Sequence, residues 1–290
     1  MHNELVPYKT MPVWTAETLP RGFRKQHNTK EGTWARLTVT RGQLIYHALD
    51  ADGVIQSTHV FSKDRPAPFV EPQAWHRVEP ASDDLECFLT FYCRPERYYE
   101  KKYRLTAPHS EVVELVSQVA AGYALDLGCG RGRNAIFLAA HGFAVTALDK
   151  SESSIAKLDK IIAAEEACRG IKTGLYDAAS AAIQEEFDLV IATVMLQFLP
   201  ADTVPAVIEN IQRRTRPGGV NLIVAPMSTV ERPCPIDWPF TFRENQLQAH
   251  YAGWQRIKYN EDLGQFHRLD ERGRPYECQF ATLAARKVVA

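Results

Sequence analysis

Two patterns of hydrophobic and polar positions divide the chain near residue 95. Before that point, short runs of β-branched and aromatic residues recur, separated by turn signals such as Asp52-Gly53. The runs that predict strands are 36–39, 43–47, 54–61 and 85–92. Strands at this spacing are typical of a small antiparallel barrel or sandwich, so we expect an all-β domain over residues 1–94.

The pattern over residues 95–290 alternates between strand-like and helix-like segments. Apolar residues at helical spacing predict helices over 110–121, 134–141, 151–166 and 203–214. Apolar runs predict strands over 123–127, 144–148, 188–194, 221–225, 255–260 and 279–286. Pro217-Gly218-Gly219 is expected to close the last helix, and 94–104 to connect the two domains. Repeated alternation predicts an α/β domain with a parallel, doubly wound sheet.

The composition indicates a globular protein, with 45% of its 290 residues hydrophobic and 24% charged. A formal net charge of −1 argues against nucleic acids and anionic membranes as partners. The N-terminus lacks a signal-peptide pattern, and no apolar run approaches the roughly 18 residues of a membrane span. The six cysteines form no CxxC pair, so neither disulfides nor a zinc site is expected. We therefore expect a cytoplasmic protein.

The most informative segment is the glycine-rich loop Gly128-Cys129-Gly130, which joins a predicted strand to a predicted helix. Glycines there let the backbone turn sharply and approach a ligand closely. A dinucleotide-binding loop needs a third small residue, but Arg133 stands at that position. Asp126 would repel a pyrophosphate, whereas it suits the cationic sulfonium and amino group of S-adenosylmethionine. The loop therefore favours S-adenosylmethionine over NAD.

Other polar residues follow the predicted strands and complete a candidate cofactor site. Asp149 ends the second strand and can accept from both ribose hydroxyls, a feature that NAD binders share. Asp177 follows the third strand and could accept from the adenine amine, and Thr193 and Val194 leave the fourth. Taken singly, each acid could instead be a helix cap or a turn residue. The predicted cofactor-binding set is Asp126, Gly128, Gly130, Arg133, Asn134, Asp149, Lys150, Asp177, Thr193 and Val194.

Several motifs resemble those of the tellurite-resistance methyltransferases, which are class I enzymes dependent on S-adenosylmethionine. DLGCGRGRN at 126–134 looks like their motif I, and RPGG at 216–219 looks like their turn into strand five. More specific to the family are the segments 98–112, 221–229, 258–270 and 280–287. The resemblance covers about residues 96–288 and implies a Rossmann-like class I methyltransferase fold. Residues 1–94 resemble the β-rich, cupin-like N-terminal domain of longer members.

The resemblance also implies a reaction, namely methyl transfer from S-adenosylmethionine to oxyanions such as tellurite or selenite. Attack by a lone-pair-bearing chalcogen on a sulfonium methyl depends on alignment and desolvation, so a strong general base is not obligatory. An oxyanion does need cationic hydrogen-bond donors. The residues that the resemblance implies for this role are His267, Arg268 and Arg274. Alternatively, His267 and Arg268 could be a solvent-exposed pair in a loop between two late strands, and they would then not bind the substrate.

Two alternatives remain open on the sequence alone. The substrate could be a thiol or another small metabolite, or the chain could be a sensor that binds the cofactor without turnover. Thr193-Val194-Met195-Leu196 stands where an Asn-Pro-Pro-Tyr/Phe motif would indicate amino-group methylation of nucleobases or glutamine. In the N-terminal region, His27, His47 and His76 lack the HxH pair of a cupin metal site, so no metal is predicted.

Overall fold

The computed structural model describes residue 2 and residues 4–289, with the backbone alone at His267. The chain divides into two compact units, Met1–Thr106 and Ala107–Ala290. The first unit takes in the predicted connector 94–104, which forms a short 3-10 helix followed by an α-helix. No helix in the described part of the chain is both long and apolar enough to span a bilayer.

Antiparallel strands build the N-terminal unit. Within residues 4–106 the elements are β1 (Val6–Thr10), β2 (Trp14–Thr15), β3 (Trp34–Arg41), β4 (Gln43–Leu49), β5 (Ile55–Ser62), β6 (Phe69–Val70), β7 (His76–Pro80), β8 (Glu86–Cys93) and α1 (Tyr98–Tyr103). One sheet has the order β1-β8-β3-β6 with β2 paired to β8, and the other has the order β5-β4-β7. The predicted all-β region is therefore confirmed.

The buried faces of these two sheets share one hydrophobic core. Along β3, Ala35, Leu37 and Val39 are buried in alternation with more exposed residues, as expected for a strand with one face on a core. Leu44 and Val78 from the second sheet belong to the same cluster of buried side chains. The sheets thus pack face to face, while the cupin-like character of the unit stays a prediction.

The C-terminal unit alternates helices and strands. Within residues 107–289 the elements are α2 (Ser110–Val116), β9 (Tyr123–Leu127), α3 (Arg133–Ala140), β10 (Ala144–Asp149), α4 (Glu152–Ala164), β11 (Ile171–Leu175), β12 (Phe187–Thr193), α5 (Val204–Arg213), β13 (Thr215–Pro226), α6 (Gln246–Ala249), β14 (Gln255–Leu269) and β15 (Pro275–Arg286). β12 and β13 are buried along almost their whole length, which is typical of central strands covered on both faces.

Among the described residues, β9 to β15 form one sheet in the order β11-β10-β9-β12-β13-β15-β14. The first four pairings are parallel, as predicted. The pairings of β15 with β13 and with β14 are antiparallel, so the expectation of a wholly parallel sheet is wrong at this edge. The short turn 270–274 accounts for the antiparallel pairing of β14 with β15, since a parallel crossover needs a dozen or more residues.

Several predicted boundaries also differ from the structure. α2 ends at Val116, short of the predicted 121, and β14 runs to Leu269, far past the predicted 260. Pro217-Gly218-Gly219 does not close α5, because β13 already begins at Thr215 and these residues cause a register irregularity against β12. Hydrogen bonding between strands thus extends through segments whose local sequence signals a turn.

Candidate cofactor site and adjoining pocket

The strand order reverses between β9 and β12, and the candidate site lies at the carboxyl ends of these strands. From β9 the chain continues to β10 and β11 on one side, and β12 then returns to the other side of β9. Ligands of open α/β sheets bind in the crevice that such a reversal leaves. The glycine loop follows β9 and Thr193 ends β12, so the fold brings both predicted segments to this crevice.

The glycine loop depends on backbone conformations that other residues adopt only with strain. Gly128 has a φ of +75°, and a Cβ there would lie 2.5 Å from the Cβ of Met195. Gly130 also has a positive φ, but a Cβ there would meet nothing within 4 Å. The tight packing at Gly128 and the open space at Gly130 make the loop a cradle for a ligand.

Asp126 supplies a buried carboxyl group beneath this loop. Its side chain is 1% exposed, and among the described residues its Oδ2 atom has no hydrogen-bond partner. Burial raises the pKa of this carboxyl to about 7, although Arg133 and a hydrogen bond from the backbone of Ala135 act in the opposite direction. An unpaired buried acceptor of this kind fits a cationic ligand, because a nearby positive charge stabilises the ionised carboxylate.

Asp149 ends β10 and links the glycine loop to α4. Its Oδ2 accepts a hydrogen bond from the backbone N–H of Gly130 at 2.7 Å, and its Oδ1 accepts from Ser151 N at 2.8 Å. Ser151 in turn caps α4, since its side chain accepts from Ser154 N. Each carboxylate oxygen has two lone pairs, so Asp149 keeps the capacity to accept from ribose hydroxyls. The neighbouring Lys150 is exposed.

A chain of hydrogen bonds joins three elements around the site. The backbone N–H of His109 donates to Asn134 Oδ1 at 2.9 Å, and Asn134 Nδ2 donates to Thr193 Oγ1 at 2.9 Å. The next residue, Val194, has a φ of +53°, a conformation that is a clear outlier for a β-branched residue. Asp177 makes a hydrogen bond only within its own turn among the contacts described, since its Oδ1 accepts from Ala179 N.

A pocket of about 530 Å³ adjoins the glycine-loop edge. It is lined by Ala107, Pro108, His109, Ser110, Glu111, Arg133, Val194, Val224, Asn260, Asp262, Leu263, Gly264, Gln265, Phe266, Phe280 and Thr282. Arg133 places a guanidinium at its wall and donates to the carbonyl oxygen of Ala107 at 3.2 Å. Burial lowers the pKa of this guanidinium, but a group of this type stays charged at any physiological pH.

The predicted substrate residues lie at the far end of β14 and in the turn that follows. The side chain of His267 lies outside the described residues. Arg268 is exposed, and Arg274 donates to Asp270 through Nε at 3.1 Å and through Nη2 at 3.0 Å. Neither arginine is among the described residues that line the pocket. The structure thus connects Gly130 with Asp149 and Asn134 with Thr193 through hydrogen bonds, whereas among the described residues it shows no such contact with this site for Lys150 or for these arginines.

Family models match both parts of the chain. The model described as tellurite resistance protein TehB matches residues 91–284, and the model described as TehB-like domain matches residues 9–89. The chain belongs to the TehB family. A relative from Haemophilus influenzae (strain 10810), named probable S-adenosyl-L-methionine-dependent methyltransferase TehB, is 47% identical over 287 residues, which are 99% of this chain and 100% of the relative.

Solved structures agree with this membership. The crystal structure of TehB from Haemophilus influenzae matches with a TM-score of 0.83 at 47% identity, over 99% of this chain and 100% of that one. A methyltransferase from Methanosarcina mazei dependent on S-adenosylmethionine matches the fold with a TM-score of 0.50 at 15% identity, over 64% of this chain and 100% of that one. The predicted family, class I fold, enzyme class and cofactor are confirmed.

The sequence did not identify the wall that the β14–β15 hairpin contributes to this TehB-family pocket. Phe266 and Phe280 meet edge to face with ring centroids 5.0 Å apart, and Trp238 lies 6.0 Å from Phe266. Phe280 and Thr282 lie two residues apart in β15, so both face the pocket. The alternation of side chains along β15 was the available sequence signal. It assigns residues to the pocket only once the pairing of β14 with β15 is known.

Proposed function

We propose that this chain transfers a methyl group from S-adenosylmethionine to a small chalcogen oxyanion such as tellurite or selenite, and so contributes to tellurite resistance. The observation that carries the proposal is the pocket of about 530 Å³, which contains Arg133 and Val194 from the glycine-loop edge. A substrate in this pocket would lie beside the cofactor site. Membership of the TehB family supports a small-molecule substrate, and the name of the family supports tellurite.

The residues of the candidate site fit the cofactor. We propose that Asp126 holds its cationic groups, that Arg133 pairs with its carboxylate and that Asp149 accepts from its ribose. S-adenosylmethionine supplies, when bound, a methyl group on a positively charged sulfur. Asn134 and Thr193 orient the segment around His109, and the apolar Val194 and Val224 keep water from that part of the pocket.

An oxyanion substrate requires positive charge near the pocket, and we propose that Arg268 supplies part of it. Arg268 follows the pocket residue Phe266 by two residues, about 7 Å along a strand, which an extended arginine side chain can reach. Arg274 is already engaged by Asp270, so its charge is partly offset. We assign Arg268 the larger part in binding, with His267 and Arg274 as its predicted companions.

The second candidate is a methyltransferase for a thiol or another small metabolite, and the apolar wall favours it. Leu263, Phe266, Phe280 and Val224 all line the pocket. A charged oxyanion gains nothing from such surfaces, whereas a substrate with an apolar body would. The two candidates therefore differ in which wall of the pocket the substrate uses.

The deciding experiment measures production of S-adenosylhomocysteine by the purified protein with selenite, with tellurite and with a small thiol. We expect turnover that depends on the oxyanion and that falls at least tenfold in Arg268→Ala, because a charged hydrogen bond to the substrate is lost. Arg272→Ala is the matched control, since Arg272 is an exposed arginine of the adjoining turn. Turnover with the thiol alone would favour the second candidate.

We also propose that residues 1–94 form an accessory domain and residues 95–290 the methyltransferase domain. The family-model matches to 9–89 and 91–284 support a division near this position. The structural units divide at Thr106, because α1 packs with the first unit. Lys101 of α1 donates there to Thr33 Oγ1 at 3.0 Å.

A further inference from the structure

The N-terminal unit contains a partly open cavity of about 100 Å³ between its two sheets. Trp14, Ala35 and Leu37 line it from the first sheet, and Tyr46 and His76 line it from the second. Aspartate, glutamate, lysine and arginine are absent from its described lining. The volume is of the same order as an engineered apolar cavity of about 150 Å³ that takes up benzene. The cavity can therefore accept a molecule of about one aromatic ring.

Two histidines stand side by side in the wall of this cavity. The backbone N–H of His27 donates to the carbonyl of His76 at 3.0 Å, and the reverse bond measures 2.9 Å. This isolated bridge holds the two rings with their centroids 4.1 Å apart. The ring of Tyr46 stacks on that of His76, with the ring centroids 5.3 Å apart and an angle of 17° between the ring planes. Backbone pairing thus sets the position of both imidazoles before any ligand is bound.

The hydrogen bonds of these rings determine where their protons are. His27 Nδ1 lies 2.9 Å from the carbonyl oxygen of Lys25, and His76 Nδ1 lies 2.8 Å from that of Ala74. A carbonyl oxygen only accepts, so in both rings Nδ1 carries the proton and Nε2 has the lone pair. Among the described residues, no donor is hydrogen-bonded to either Nε2. The pair therefore offers two acceptors.

Both rings are uncharged near neutral pH. Burial lowers the pKa of His76 to about 4, helped by repulsion from His27, and burial also lowers the pKa of His27. An anion would find no positive charge in this cavity. A divalent metal ion would find no carboxylate or thiolate to offset its charge, and no cluster of three metal-ligating side chains occurs among the described residues. A neutral ligand that donates a hydrogen bond brings no charge into the cavity, so it needs no oppositely charged partner there.

We propose that this cavity is a binding site for a small, uncharged, largely apolar molecule that carries a hydrogen-bond donor, whose proton the Nε2 atom of either His27 or His76 accepts. Phenol-like molecules represent the class, because a flat ring fits between the aromatic side chains and one hydroxyl reaches the imidazoles. The N-terminal unit would thus bind a ligand different from the substrate of the methyltransferase unit.

The test uses the full-length protein and three fluorinated probes followed by ¹⁹F nuclear magnetic resonance. 4-Fluorophenol carries a donor, fluorobenzene lacks one, and 4-fluorobenzoate is an anion. We expect saturable binding of 4-fluorophenol, binding of fluorobenzene weaker by roughly five- to tenfold, as for one net hydrogen bond, and no binding of the benzoate. Ala35→Leu fills the cavity and is expected to abolish binding of all probes.

Replacing both His27 and His76 by phenylalanine removes both acceptors and keeps both rings, so it is expected to erase the preference for 4-fluorophenol while fluorobenzene still binds. His27→Phe alone keeps the Nε2 acceptor of His76, so it is expected to lower that preference without erasing it. His27 is only partly buried, which favours folding of this variant. His59→Phe is the matched control, because His59 is exposed on β5 and absent from the described lining. Equal binding of 4-fluorophenol and fluorobenzene, or no binding of either, would overturn the proposal. Binding of Zn²⁺ that His27→Phe removes would overturn it in favour of a metal site.

Discussion

The two sides of the candidate site in the methyltransferase unit are built differently. On the cofactor side, Asp126, Asn134 and Thr193 are buried, and Asp149 receives two backbone hydrogen bonds. On the substrate side, the hairpin of β14 and β15 ends in exposed residues, and its arginine at 274 is bonded to Asp270 in its own turn. The cofactor side is thus organised in advance, whereas on the substrate side the charge of Arg274 is paired within its own turn.

The difference indicates how such an enzyme divides its tasks. A preformed, buried set of hydrogen bonds gives the methyl donor one orientation, which methyl transfer requires. The exposed tip of the β14–β15 hairpin tolerates changes of side chain, because few buried contacts depend on it. Substitutions on the cofactor side should therefore have the larger effects, and three experiments test this order.

The largest effect is expected from Gly128→Ala. A Cβ at this position would lie 2.5 Å from the Cβ of Met195, in a backbone conformation that side chains rarely adopt. Either the glycine loop or Met195 must move to make room for the added Cβ. We therefore expect the affinity for S-adenosylmethionine, measured by isothermal titration calorimetry, to fall at least a hundredfold. Gly253→Ala is the matched control, because Gly253 also has a positive φ, nothing lies within 4 Å of its added Cβ, and it lies in the turn before β14, so cofactor affinity should not change. Equal losses in both variants would contradict the cradle.

An intermediate effect is expected from Asp126→Asn. In the unliganded protein the pKa of Asp126 is raised by burial to about 7, and a cationic ligand selects the ionised form. Affinity of the wild type for S-adenosylmethionine should therefore rise from pH 6 to pH 7, by up to roughly tenfold, and level off above pH 8. In Asp126→Asn this dependence should vanish and affinity at pH 8 should fall roughly tenfold or more.

The stability of the unliganded protein gives an independent check of the same group. Because the folded-state pKa of Asp126 lies above the unfolded value, the carboxyl group favours the folded state below about pH 4, and this contribution is lost as the pH rises through about 7. The wild type should lose stability over this range by more than Asp126→Asn, as measured by urea unfolding. Identical pH profiles of the two proteins would show that Asp126 titrates normally.

The smallest effect is expected from Arg274→Ala. The side chain of Arg274 is 67% exposed, and its Nε and Nη2 already donate to Asp270. We expect no change in cofactor affinity and less than a threefold change in turnover, since exposed ion pairs contribute little. Steady-state kinetics alongside Arg268→Ala provides the comparison. A loss in Arg274→Ala that matched the loss in Arg268→Ala would show that the hairpin turn rearranges to bind substrate.

The success of sequence reasoning differed between the two sides for a physical reason. Asp126, Gly128 and Gly130 lie within five residues, so a local motif carries most of the cofactor cradle. Asp149 could be placed because parallel strands bring their carboxyl ends to one edge. The pocket wall from Phe266 and Phe280 depends on a pairing between two strands, which no single segment reveals.

The N-terminal unit shows the same limit. Alternating runs predicted β3, β4, β5 and β8, whereas the two-residue strands β2 and β6 are too short to leave a pattern. His27 and His76 are 49 positions apart, and their spacing indicated no site. The bridge between their backbones brings them together.

By itself, the sequence determined the class of each unit, the cofactor and the glycine loop, because these follow from periodicity and from residues close together along the chain. Only the tertiary structure decided that β15 lies antiparallel between β13 and β14, that Arg274 is bonded to Asp270 and that two imidazoles share a cavity. These features arise from contacts between distant segments. The free energy of such contacts depends on which surfaces pack against each other, and this depends on residues spread over the whole chain.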